Sequence, residues 1–93
     1  MYRLNSSGLK AAGTTAIKAT PGSLHGVDLV PDGANAATIV IYDNASAGSG
    51  TVLFSARCAA TASVHFNNID VAASNGITIV LTGTGSGAVI RFK

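Results

Sequence analysis

From residue 23 onward the chain is a series of short apolar runs, each cut by Gly, Asn, Asp or Pro. SLHGVDLV (23–30), ATIVIYD (37–43), GTVLFSA (50–56), SVHFN (63–67), NGITIVLTG (75–83) and GAVIRFK (87–93) are rich in β-branched and aromatic residues, as strands are. No stretch keeps the apolar spacing of an amphipathic helix. SARCAATASV has helix-favouring alanines but no stripe of large apolar side chains, and reads as a loop or irregular crossover. The pattern predicts an all-β fold, a small antiparallel β-sandwich or jelly-roll-like module of about seven or eight short strands.

The breaks between runs have their own chemistry. In VPDG (30–33) Pro31 presets φ and Gly33 accepts a positive one, which predicts a β-turn. SNG (74–76) and TGTGSG (82–87) supply a tight turn and a hairpin loop. Alternation then assigns faces: Ile77, Ile79 and Leu81 point one way, and Ile90 and Phe92 face the core with Arg91 outward. Leu24, Val27 and Leu29 share a face only if the strand bulges near Gly26, which places His25 at the bulge as a hydrogen-bonded structural residue.

One hairpin, TIVIYDNASAGSGTVLFSAR (38–57), is apolar on both sides. Ile39 and Ile41 form one face; Val40, Tyr42, Val52 and Phe54 are expected on the other. A two-layer sandwich buries one face of each sheet, so the second row needs a cover. Either loops and the N-terminal segment of the same chain provide it, or a partner does. Residues 1–20 differ from the rest, with Tyr2 and Leu4 then Ala16 and Ile17 separated by small and polar residues. They read as an N-terminal arm or an edge strand, with the sandwich proper over 21–93.

Size and composition sharpen this. A 93-residue chain hides only about 60–65% of its extended surface on folding, so small domains often add disulfides, a metal or association. Cys58 is the single cysteine and has no partner in the chain; His25, His65, Cys58 and four separated aspartates offer no metal-ligand spacing. Association is the remaining route. Only 11% of residues are charged and Glu is absent, which leaves little repulsion between copies. The six Lys and Arg residues are scattered, so neither nucleic acid nor anionic lipid is an expected partner. MYRLNSSGLK has no apolar signal core and no run reaches membrane-spanning length, so synthesis in a cytoplasm is expected, where a free thiol persists.

No catalytic set converges. Cys58 and His65 form the best available nucleophile–base combination, but no third residue orients them. Asp28 and Asp32 flank a turn and Asp43 opens a loop, where Asp commonly serves the backbone. GTGSG lacks the following helix and the Lys of a phosphate loop. The expectation is a protein that is not an enzyme and carries no cofactor or metal.

The ordered segments LHGVDLV, ATIVIYDNASAGSGTVLF and VHFNNIDVAASNGITIVLTGTGSGAVIRF resemble a family of small proteins encoded among tailed-bacteriophage structural genes. The likeness covers residues 23–93 and is carried by a strand ending in Leu-x-Gly-Val, an Ile-x-Ile-Tyr-Asp hairpin and a final Thr-Gly-x-Gly hairpin. The resemblance implies a capsid decoration, or cement, protein: an oligomer, by analogy a trimer, made in the bacterial host cytoplasm and seated on the virion capsid surface against the major capsid protein. In that role Val40, Tyr42, Val52 and Phe54 form a subunit interface, and Tyr2, Arg3 and Leu4 anchor the arm to the shell or a neighbour. The alternative is a β-module of a head or tail fibre that binds a receptor or carbohydrate.

Overall fold

In the computed structural model, which describes residues 4–93, the chain forms ten antiparallel strands in two facing sheets. They are β1 (Asn5–Ser6), β2 (Lys10–Ala11), β3 (Gly13–Lys18), β4 (Gly22–Val30), β5 (Ala37–Tyr42), β6 (Val52–Cys58), β7 (Val64–Phe66), β8 (Val71–Ala73), β9 (Ile77–Thr82) and β10 (Gly87–Phe92). β1 and β2 lie in line along β10, and β7 and β8 lie in line along β4. Each collinear pair therefore acts as one interrupted edge. The first sheet runs β1/β2, β10, β4, β7/β8, and the second β3, β9, β5, β6. Counted as eight strands in chain order, the sheets read 1-8-3-6 and 2-7-4-5, the double Greek key of a jelly roll.

The alternating apolar residues build the core. Leu24, Val27, Leu29, Ala88 and Ile90 of the first sheet face Ile39, Ile41, Ile77, Ile79 and Leu81 of the second, all of them buried. Each Ile or Leu so placed contributes roughly 1.5–3 kcal/mol through loss of hydrated surface. Gly26 sits where the β4–β10 register slips, pairing Arg91 with Gly26 but Phe92 with Leu24. His25 is the extra residue, and its ring lies 2.7 Å from the Ser23 hydroxyl. Its carbonyl accepts the amide of Ile69 at 3.0 Å, in the interruption between β7 and β8, where Asn68 and Asp70 adopt left-handed φ values of 59° and 48°. The bulge on the central strand and the break on the edge are thus joined.

The structure changes one reading of the sequence pattern and adds detail to another, the edge-strand reading of the N-terminal segment. SARCAATASV is not a loop throughout, because β6 continues to Cys58. Phe54, Ala56 and Cys58 pair with Ile41, Ile39 and Ala37 on the inner side, while Ser55 and Arg57 point outward. That is a period-two strand whose inward members are small, so the amphipathic contrast is faint. Residues 5–18 are strands of both sheets, β1 and β2 on β10 and β3 on β9. The chain passes from one sheet to the other at Ala12.

Candidate functional site

The doubly apolar hairpin is partly covered by its own connection. Asp43 and Asn44 shape that loop: Asn44 Oδ1 accepts the amides of Ser46 and Ala47, and Asn44 Nδ2 donates to the Ser49 carbonyl at 3.1 Å. The loop folds over the outer face of the second sheet, where Thr78 Oγ1 donates to the Asn44 carbonyl at 2.8 Å. Gly48 lies so close to Val80 that a Cβ there would collide with Cγ2. Val80 is the cross-strand neighbour of Val40, and Thr78 of Tyr42. Val40 and Tyr42 are consequently half-buried in the isolated chain.

Val52, beside Tyr42, remains 50% exposed. Phe54 does not share that face, which corrects its assignment to an outer interface. A register slip between Ile41 and Tyr42 makes Leu53 an extra residue, so Phe54 pairs with Ile41 and turns inward. Its ring meets Phe66 of the other sheet edge-on, centroids 5.1 Å apart, and the pair closes one side of the sandwich. Of the anchoring arm, Tyr2 and Arg3 lie outside the described residues; Leu4 is 40% exposed.

On the outer face of the first sheet, polar side chains tie three strands. Asp28 of β4 accepts from Arg91 of β10 and lies 2.9 Å from His65 Nδ1 of β7. The Arg91 guanidinium lies against Gly26, where a Cβ would come within 2.6 Å of it, and donates to Asn67 Oδ1 at 2.8 Å. Its hydrogen bonds hold the Asp28 carboxyl below the usual carboxylate range against the opposing effect of burial, with His65 adding to the lowering, and raise the Arg91 pKa in return. Asp28 and Arg91 are thereby committed to each other, the arrangement of a sheet brace. Cys58 lies in the core of the opposite sheet, whereas the His65 side chain faces outward, so the structure does not bring these two together. Among the described residues no three His, Cys, Asp or Glu side chains are grouped to hold a metal ion.

Two grooves lie at the end of the sandwich where the connections following β4, β6 and β9 meet. One groove of about 480 Å³ is lined by Leu9–Ala12, Val30 and Gly85–Gly87. Leu9 is 71% exposed and Val30 38%. Leu9 leans on bare backbone, since a Cβ at Gly87 would come within 2.7 Å of its Cδ1. A second groove of about 350 Å³ shares Val30 and continues along Pro31–Gly33 to Ala60, Thr61 and Ser63. Between them the β4–β5 loop is held by its own hydrogen bonds: Asp32 Oδ1 accepts the amides of Ala34 and Asn35, both at 2.8 Å, and these bonds lower its pKa. Neither Leu9 nor Val30 stands out in the sequence. Leu9 is a lone apolar residue between Gly8 and Lys10, and Val30 reads as the last core residue of its strand.

This rim can offer apolar contact, with Asp32, Thr61 and Ser63 at its border. No protein-family model, curated protein or solved structure matches the chain.

Proposed function

We propose that the protein is a decoration protein of a phage head, which binds the outer surface of the assembled shell as an oligomer and holds neighbouring capsid subunits together. The likeness of residues 23–93 to phage structural proteins supplies the class of partner, the major capsid protein. The observation that carries the reading is the rim: Leu9 and Val30 project from a jelly-roll end beside the small residues Ala11, Ala12 and Gly87. Leu4, also exposed, lies toward the opposite end of β10 and is not part of this rim. Apolar contact with a polar border, beside a loop held by its own hydrogen bonds, suits a lattice of repeated subunits. Binding that favours the expanded lattice stabilises that state by mass action, copy by copy.

The test is sedimentation of purified protein with empty phage shells before and after expansion. The reading expects co-sedimentation with expanded shells at a fixed ratio to the capsid subunit. Failure to bind either form overturns it. The polar side of the second groove, with Asp32, Thr61 and Ser63, favours one other reading, a fibre module that binds a carbohydrate. Glycan-array binding lost in Thr61→Ala, without shell binding, would select that reading.

A further inference from the structure

Sheet edges are where a sandwich risks pairing with another chain, and three of the four edges here are blunted. The β1/β2 edge is interrupted at Ser7–Leu9, with Gly8 at φ 69°. The β7/β8 edge is broken by left-handed Asn68 and Asp70. β3 slips register between Ala16 and Lys18 and ends on that lysine. β6 is different. Its irregularity is confined to Leu53, and from Phe54 to Cys58 it pairs in unbroken register with β5 on one side, with no strand on the other among the described residues.

We propose that β6 is a pairing edge for a second copy of this chain, joined antiparallel about a two-fold axis at Ala56. The regular stretch Phe54–Cys58 has Ala56 at its midpoint, so a self-paired edge uses all of it in that register. Phe54 then stands opposite Cys58 of the second copy, both on the inner side. Ser55 stands opposite Arg57 of the second copy, both on the outer side. No cation faces a cation, because Arg57 is the only charged residue of β6 and the axis does not pass through it. Facing alanines at the axis let the backbones approach. The contact is isologous and closed, so it ends at a dimer rather than a filament. It departs from the trimer implied by the family resemblance and does not depend on shell binding.

The test reverses charge at one exposed position. Ser55 is exposed in the isolated chain, so its substitutions spare the fold. Sedimentation equilibrium of the full chain should show a monomer–dimer equilibrium. Ser55→Lys places a cation opposite Arg57 twice per dimer and should weaken association roughly tenfold. Ser55→Glu should tighten it by a similar factor, and Ser55→Lys with Arg57→Glu should restore it. A chain that stays monomeric at all concentrations, a trimer, or a dimer indifferent to the sign at residue 55 would each overturn the proposal.

Discussion

At one end of the sandwich the connections 19–21, 43–51 and 74–76 are tied together; at the other, 31–36, 59–63 and 83–86 leave two grooves between them. The tied end is held by Asp43, whose Oδ1 accepts the amide of Asn75 at 2.7 Å, and by Asn44, whose carbonyl receives Thr78. Backbone runs against backbone there: a Cβ at Gly76 would come within 2.5 Å of the Lys18 carbonyl and 2.8 Å of Ala45 Cα. The open end has comparable local order in each loop, as the Asp32 turn shows, but exposes Leu9 and Val30 around its grooves. Polar side chains at the first end close the fold. At the second end the 83–86 connection packs on 31–36, where a Cβ at Gly83 would come within 2.5 Å of the Ala36 carbonyl, but the grooves on either side of that contact stay accessible, which is the arrangement a binding surface needs.

The largest effect should come from adding one methyl group where connections touch, as against at an open turn. Gly76→Ala forces a side chain between backbone segments and should cost about 3 kcal/mol in urea unfolding. Gly33→Ala, where φ is 94° but nothing lies within 4 Å, should cost only about 1 kcal/mol for the left-handed backbone. Equal costs would mean that Gly76 is not packed against the Lys18 and Ala45 backbone.

Acid should act mainly through the carboxylates that serve the fold. Asp28, Asp32 and Asp43 all have lowered pKa values, set by Arg91, by the Ala34 and Asn35 amides, and by the Asn75 amide respectively. A depressed carboxylate contributes stability above its unfolded value, near 3.8, and that contribution is lost as pH falls through the lower folded values. The melting temperature should therefore change little from these groups between neutral pH and about pH 5, then fall below about pH 4. Asp43→Asn should flatten this acid limb more than Asp32→Asn, because Asp43 links two connections and Asp32 only orders its own.

The smallest effect on stability should come from the rim itself. Leu9→Ser and Val30→Ser should each change unfolding free energy by about 0.5 kcal/mol or less, since exposed positions lose little on replacement. A loss of several kcal/mol at Leu9 would make it part of the core rather than of a contact surface.

The sequence pattern exposes the central strands because their inward residues are large and regularly spaced. Ile39 with Ile41, and Ile77 with Ile79 and Leu81, are buried as alternation predicts, and Gly26 marks the bulge that brings Leu24 into line with Val27 and Leu29. The edges were harder to read. GTTAIK has too little apolar contrast to announce β3, and VAA too little to announce β8. At Phe54 a single extra residue, Leu53, reverses the face, and no feature of GTVLFSA specifies where a bulge falls. The rim was invisible for another reason. Leu9 and Val30 are 21 residues apart in the chain and become neighbours only when β2 and β4 lie on either side of β10.

The most direct test of the open end as the working surface is shell binding by a folded chain altered only there. Leu9→Ser with Val30→Ser should retain the melting temperature of the parent to within a few degrees and lose at least tenfold in affinity for expanded phage shells. Undiminished binding by that variant, or no binding by the parent chain, would contradict the account.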